Sequence, residues 1–347
     1  MVRLAIVGTG GMANGHASAF KDIKGCKVVA ACDVDGKKAQ EFAERHGILG
    51  VYTDLAEMLA NEAIDAVSNV TSDAWHAPLS LQAVAAGKHV LCEKPLATNY
   101  ADAKKMAGAA KRKGVINMVN LSYRNASCIH RAHDLIAQGE IGRVLHFEAS
   151  YLQSWLASDA WGDWRTSPAW LWRLSKQHGS LGVLGDVGVH ILDFATYPAG
   201  AVKSVDCRLQ TFSKAPGEKI GDYPLDANDS AVMTLELKDG AIGTVHTTRW
   251  AVGHQNSLRL RIFGDKGGVE IDLDQSYDTL RICRGADVNK AGWKTMKCGK
   301  TPSNYQRFIT SIRTGVNDQP DFARGAEVQK VMHACFESDN ARKPVRV

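Results

Sequence analysis

The 347-residue sequence predicts an α/β protein, with an N-terminal doubly wound parallel sheet followed by an α+β domain built on a large, mostly antiparallel sheet. Three observations carry that prediction. A short apolar run, Leu4 to Val7, breaks into a glycine turn and then into a helix-like stretch. Strand-like and helical runs alternate up to about residue 120. After Gly142 the apolar residues switch to a period of two.

The first run suits a buried parallel strand, and Gly8, Gly10 and Ala13 fall at the small-residue positions of the pattern G-x-G-x-x-G/A. Gly8 permits the tight turn, Gly10 lets backbone approach a pyrophosphate, and Ala13 allows close helix-to-strand contact. The N–H groups that open the helix at Gly11 and Met12 face the phosphates. The next strand, Lys27 to Cys32, ends in Asp33, about twenty residues past Ala13. A carboxylate there accepts the adenosine ribose hydroxyls and repels a 2′-phosphate, which favours NAD over NADP. Lys37 and Lys38 stand close in sequence and keep NADP open. Asp33 has blander readings too: the start of a turn before Gly36, or a cap on the helix Lys37 to His46.

The alternation continues with Asp65 to Val70 as strand, Ala77 to Ala86 as helix, His89 to Cys92 as strand, Ala101 to Lys113 as helix and Val115 to Val119 as strand. Such order implies right-handed crossovers and a sheet covered on both faces. Beyond Gly142, Met233, Leu235 and Leu237, then Leu258, Leu260 and Ile262, then Val269, Ile271 and Leu273 alternate with polar residues, as in an antiparallel sheet with one polar face. Lys238-Asp239-Gly240-Ala241 offers a two-residue hairpin and Asp265-Lys266-Gly267-Gly268 another turn. Helical spacing returns in Tyr305, Phe308, Ile309, Ile312 and Val316, and again in Val328, Val331, Met332, Cys335 and Phe336. The expected domains are 1–122 and 123–347, with the last helix free to pack back on the first. Ala215 to Asp226, rich in Pro, Gly and Asp, reads as a mobile loop.

Composition excludes several classes. A formal charge of +5 is dispersed, with no block of five or six like charges, so neither nucleic acid nor membrane is an expected partner. No apolar run approaches a membrane span, and the chain enters a strand where a leader would lie. Eight cysteines without a C-x-x-C pair read as buried thiols in a reducing compartment, so the cytoplasm is expected.

Two clusters carry chemistry. Glu93-Lys94-Pro95 follows the fifth strand-like run at the carboxyl end of a parallel strand, where open α/β sheets bind ligands; a lysine beside a glutamate is otherwise a solvated pair. In Gly185-Asp186-Val187-Gly188-Val189-His190-Ile191-Leu192-Asp193, a helix places Asp186, His190 and Asp193 on one face, where a carboxylate can hold and support a titrating histidine. Equally, Asp186 is a possible N-cap, His190 a packed core residue and Asp193 a surface charge. No third residue at recognisable spacing completes a metal set.

Gly8 to Ala13, Glu93-Lys94-Pro95 and Gly185 to Asp193 together resemble the three signatures of the Gfo/Idh/MocA oxidoreductases, the group of glucose-fructose oxidoreductase and inositol dehydrogenase. The resemblance spans essentially the whole chain and implies a Rossmann domain followed by a substrate-binding, oligomerising domain. It implies that Lys94 contacts the substrate hydroxyl and the nicotinamide region through a cis Lys94-Pro95 bond, with Glu93 beside it at the cofactor. It implies substrate hydroxyls on Asp186 and a general acid/base in His190. Thr71 and His76 resemble the loop near the cofactor, and Tyr123, Arg124, Trp164 and Arg165 the segments around the substrate, with Arg173 competing for the role of Arg165. The chain departs from the pattern in a longer stretch, Ala169 to His178, and in Gly179-Ser180-Leu181-Gly182 where three glycines are usual. Five of eight tryptophans, at 155, 161, 164, 170 and 172, crowd this region. They suit either stacking on a sugar ring or anchoring of a loop or subunit interface.

The expected activity is oxidation of a sugar, anhydro-sugar or cyclitol hydroxyl with NAD as hydride acceptor, in a homo-oligomer of two or four chains. The rivals are an NAD-using glycosidase, which would release a leaving group, and a non-catalytic nucleotide or sugar sensor, which would not need Lys94, Asp186 and His190 together.

Overall fold

A computed structural model describes all residues, Met1–Val347. The chain divides into two units, Met1–Ser122 with Pro302–Gln329 and Tyr123–Thr301 with Lys330–Val347.

In the first unit, strands β1 (Val2–Val7), β2 (Cys26–Cys32), β3 (Gly50–Tyr52), β4 (Ala66–Asn69), β5 (His89–Cys92) and β6 (Asn117–Val119) form one sheet in the order β3-β2-β1-β4-β5-β6. Every pairing is parallel, so the order reverses beside β1 and opens a crevice at the strands' carboxyl ends. Helices α1 (Gly11–Lys21), α2 (Gly36–His46), α3 (Leu55–Asn61), α4 (Asp73–Ala85) and α5 (Tyr100–Lys113) supply the crossovers. Asp35, Asp54 and Asn99 cap α2, α3 and α5 with side-chain oxygens on backbone N–H groups. The core packs Leu4, Ile6, Phe20, Phe42 and Leu91 with Phe308 and Ile309 of the later helix α9 (Asn304–Thr314). Helix α4 starts four residues before the expected Ala77, because Ser72 takes the extended N-cap position and Pro78 is tolerated inside. Val316 lies past the end of α9, 69% exposed.

The second unit opens with α6 (Ser127–Ala137) and carries a nine-stranded sheet with α8 (Val189–Ala199) packed on it. Its strands are β7 (Val144–Leu152), β8 (Val202–Gln210), β11 (Ser230–Leu237), β12 (Ile242–Thr248), β13 (Ser257–Gly264), β14 (Gly267–Asp272), β15 (Thr279–Arg284), β16 (Lys294–Lys297) and β17 (Val345–Arg346), ordered β16-β15-β14-β13-β7-β12-β11-β8-β17. Only β7 and β12 run parallel. The β11–β12 hairpin closes with three residues rather than two: Leu237 and Ala241 are hydrogen-bonded around Lys238, Asp239 and a left-handed Gly240. A three-residue loop wants glycine at that last position. The β13–β14 turn is the two-residue one, with Gly264 opposite Gly267.

The segment read as a mobile loop carries regular structure and core contacts. It folds into a ribbon of β9 (Lys219–Ile220) and β10 (Tyr223–Pro224), and Ala215, Ile220 and Tyr223 pack on a cluster of Trp155, Trp164, Leu171, Leu174 and Leu225. The short helix α7 (Pro168–Leu171) belongs to the same cluster. Trp155 and Trp164 are each 1% exposed, which puts these two rings in a core that anchors the long insertion. The last helix, α10, spans Phe322–Ala341. All eight cysteines are free thiols, and no helix is long and apolar enough to cross a membrane.

Candidate active site

At the carboxyl ends of β1, β2 and β4 lies a cavity of about 510 Å³, lined among others by Gly8, Gly10, Asp33, Thr71 and Ser72. Gly8 has φ +87°, and a Cβ there would sit 2.8 Å from the Val70 carbonyl and the Thr71 nitrogen, so the turn admits only glycine. A Cβ on Gly10 or Gly11 would meet nothing within 4 Å. Backbone therefore opens onto free space at the N-terminus of α1, which no side chain caps and whose first turn holds no acid. Such an end attracts an anion, and the cradle fits a dinucleotide pyrophosphate.

Asp33 stands at the end of β2 and organises the turn. Its Oδ2 accepts from Thr9 N at 2.7 Å and Thr9 Oγ1 at 2.9 Å, and its Oδ1 accepts from Asp35 N at 3.0 Å. Asp35, not Asp33, caps α2. Thr71 Oγ1 donates to Asn69 Oδ1 at 2.7 Å. His76 is 1% exposed, with Nδ1 on the Pro95 carbonyl at 2.6 Å and Nε2 on the Thr71 carbonyl at 3.0 Å. It ties two loops together beneath the cavity rather than lining it.

The Lys94-Pro95 bond is cis. Glu93 is buried beside it, and its Oε1 accepts from His16 Nε2 at 2.9 Å and Asn120 Nδ2 at 2.6 Å while its Oε2 accepts from Lys94 N at 3.1 Å. Burial opposes ionisation of this carboxyl, but the His16 and Asn120 hydrogen bonds and the Lys94 charge bring its pKa down to about 2. Glu93 thus holds the turn that carries Lys94. Ser68 supports the other side of the His16 ring, Oγ to Nδ1 at 2.9 Å.

In the second unit a π-helical turn, Leu184–Gly188, carries Asp186 directly into α8, which carries His190 and Asp193. The wider π turn departs from the regular helical spacing expected of the three. Asn228 pins the turn: its Oδ1 accepts from Leu184 N at 3.1 Å, and its carbonyl accepts from Val183 N at 2.8 Å. A Cβ on Gly182, at φ +70°, would run into the Asn228 amide at 2.4 Å.

Asp186 lies between two arginines. Arg249 Nη2 donates to its Oδ2 at 3.0 Å, and Arg173 Nε lies 3.7 Å away. Arg249 is fully buried, and burial lowers its pKa while Asp186 opposes that shift. His190 is 7% exposed, with the Tyr123 ring edge-on at 5.1 Å between centroids. The Tyr123 hydroxyl bonds to that of Tyr151 at 2.7 Å, which donates to Asn256 Oδ1 at 2.7 Å. Burial raises both phenols, Tyr123 to about 12, so both keep their protons beside the histidine.

Other expected residues fall elsewhere. Asp193 is 2% exposed and grips Arg124 through two hydrogen bonds, at 2.7 and 2.8 Å, so it is no surface charge. Arg124 in turn lies over the Tyr197 ring at 3.4 Å, as an anchor of α8 rather than an open substrate contact. Trp164 is core, and Arg165 is a surface residue on Asp163 at 3.1 Å.

Arg249, Asn228, His16 and Tyr151 went unread in the sequence. Arg249 had a signal: it continues the inward phase of Gly243, Val245 and Thr247, where an arginine needs a buried acid. His16 had one too, since it shares the buried face of α1 with Ala13, Ala17 and Phe20.

Dinucleotide cradle, buried histidine and doubly wound sheet define an oxidoreductase of nicotinamide type. The family pattern described as "Oxidoreductase family, NAD-binding Rossmann fold" matches residues 2–121, and the GFO/IDH/MocA C-terminal domain matches 129–270. The chain belongs to the Gfo/Idh/MocA oxidoreductase family. It is 28% identical to levoglucosan dehydrogenase of Pseudarthrobacter phenanthrenivorans, over 90% of this chain and 87% of that one. It is 31% identical to D-apiose dehydrogenase of Paraburkholderia graminis, over 99% and 89%. A solved levoglucosan dehydrogenase in complex with NADH and levoglucosan superimposes with a TM-score of 0.87 at 27% identity, covering 100% of this chain and 99% of that one.

Proposed function

We propose that this protein is an NAD-dependent dehydrogenase that oxidises a hydroxyl of a sugar, anhydro-sugar or cyclitol. The observation that carries the reading is one chain holding both a cavity with an anion-seeking helix end and a carboxylate, and a buried histidine beside protonated phenols. Gly8, Gly10, Gly11, Met12, Asp33 and Thr71 would hold the dinucleotide, with Glu93 fixing Lys94 close by. Nicotinamide supplies the hydride acceptor when bound.

The chain's own residues handle charge and protons. His190 takes the hydroxyl proton as general base. The Lys94 ammonium stabilises negative charge developing on the substrate oxygen. Asp186, fixed by Arg249, accepts hydrogen bonds from substrate hydroxyls, with Tyr123 at the His190 side. Arg124 anchors α8, which carries His190, through Asp193, and Trp164 packs with Leu174 next to Arg173, while Arg165 lies at the surface of the same insertion.

NAD is preferred over NADP because Asp33 faces the cavity while the nearby lysines have acids of their own. Lys38 Nζ lies 3.2 Å from Asp35 and Lys37 Nζ 3.9 Å from Glu41. The protein is cytoplasmic on this reading, in keeping with eight free thiols. It forms a dimer or tetramer through the open face of the nine-stranded sheet, where Val232 and Ile242 are more than half exposed; light scattering on the purified protein tests this. The activity is tested by nicotinamide reduction against aldoses, anhydro-sugars, inositols and sugar acids. A keto-sugar product supports the reading, and release of a leaving group would replace it with a glycosidase.

A further inference from the structure

Lysine is among the residues least often buried, yet the Lys214 side chain, on the segment that leaves β8, is fully enclosed together with that of Asp229. Its Nζ donates to Asp229 Oδ2 at 2.8 Å and to the Phe212 carbonyl at 2.7 Å, and Phe212 N donates to the same carboxylate oxygen at 2.8 Å. Asp229 stands opposite Arg249, one step past the Ser230–Thr248 pair of β11 and β12, and its carbonyl accepts from Arg249 N at 3.0 Å. Directly opposed residues point to the same face. Burial lowers the Arg249 pKa, and the Asp229 charge joins that of Asp186 in opposing the shift. Asp229 Oδ1 and Arg249 Nε are both buried and without a hydrogen-bond partner. Arg249 gives its Nη2 instead to Asp186, whose side chain is 23% exposed, at 3.0 Å.

A buried guanidinium is drawn more strongly to a buried carboxylate than to one that water partly screens. What weakens Asp229 as a partner is the ammonium already on it. We propose that Lys214 is a positioning residue for Asp186: by neutralising Asp229 it keeps Arg249 on the carboxylate that meets the substrate. Three cations, Lys214, Arg249 and Arg173, share the two carboxylates Asp229 and Asp186. Without the Lys214 charge, Arg249 turns to Asp229, and Asp186 is left with Arg173 alone. The inference rests on the reading that Asp186 holds substrate hydroxyls, and it gives the segment after β8 a part in substrate binding.

The test combines crystal structures of the full chain, wild type and Lys214→Met, with steady-state kinetics on the panel compound that the wild type oxidises fastest. Methionine keeps the length of the lysine side chain and removes its charge. In Lys214→Met, Arg249 is expected on Asp229, with KM raised about tenfold, the size of one hydrogen bond to a charged group, and kcat changed less. In the double variant Lys214→Met, Asp229→Asn the competing charge is gone, so Arg249 returns to Asp186 and KM recovers. A merely structural role would make the second buried change add to the damage. Should Lys214→Met fail to fold, Lys214→Gln, whose amide still donates to the Phe212 carbonyl, carries the same expectation. Arg249 remaining on Asp186 once the Lys214 charge is gone, or a double variant no better than the single one, overturns the proposal. Arg249 on Asp229 with an unchanged KM supports the positioning and removes Asp186 from substrate binding in the reading above.

Discussion

The carboxylate of Glu93 lies 2.9 Å from the ring of His16, 77 positions earlier in the chain, and both are buried. A carboxylate only accepts, so the ring donates through Nε2, and its Nδ1 is hydrogen-bonded to the Ser68 hydroxyl at 2.9 Å. Helix α1, strand β4 and the Lys94 turn are joined through this one imidazole.

Replacing that carboxylate should therefore disturb both stability and the lysine. Glu93→Gln puts an amide nitrogen where Lys94 N needs an acceptor, which costs about 1–3 kcal/mol. The folded carboxyl titrates near 2 against an ordinary 4.5, so its contribution is whole above pH 4.5 and lost as pH falls towards 2. Denaturant melts across that window should show the wild type losing its advantage over Glu93→Gln as the solution is acidified. A constant difference at all pH values would show that Glu93 is not ionised in the fold.

His190→Ala should retain the fold, because a shallow cavity at the start of α8 leaves the Arg124–Asp193 anchor in place. Loss of a general base lowers kcat by about 10²–10⁴. Circular dichroism and kcat measured together check this, and near-wild-type turnover across the pH range would remove His190 from its role.

Asp33→Ser should shift cofactor choice. It removes the charge that repels a 2′-phosphate and leaves a hydroxyl to meet Thr9, so the NAD-to-NADP ratio of kcat/KM should fall by about tenfold or more. An unchanged ratio would mean that the discrimination lies elsewhere.

Asp186→Asn strands the buried Arg249 guanidinium. Breaking a buried pair costs about 3–5 kcal/mol, and partial exposure of Asp186 places this one at the low end. The double variant Asp186→Asn, Arg249→Met should recover part of the loss, measurable as a coupling energy in urea melts. Strict additivity would show the two side chains to be independent.

The parallel sheet was legible because its strands are buried on both faces and bounded by glycine turns, so Leu4–Val7 and His89–Cys92 stand out as apolar runs. Gly8, Gly10 and Asp33 were legible because their chemistry depends on local backbone. What stayed hidden is contact at long sequence separation. Asp186 and Arg249 are 63 positions apart, and Asp193 and Arg124 are 69 apart, so no spacing rule joins them. Periodicity also assumes a regular helix, and the π turn at Leu184–Gly188 breaks that assumption where the chemistry sits. The tryptophans show the same limit, since composition alone does not separate an aromatic platform from the core that Trp155 and Trp164 form.

The central claim is tested most directly by the rate of nicotinamide reduction by purified wild-type protein, with NAD and NADP supplied separately against the sugar, anhydro-sugar, inositol and sugar-acid panel. The account predicts NADH formation with at least one neutral sugar, anhydro-sugar or cyclitol, faster with NAD than with NADP and lost in His190→Ala. Tight NAD binding with no reduction by any compound would contradict it.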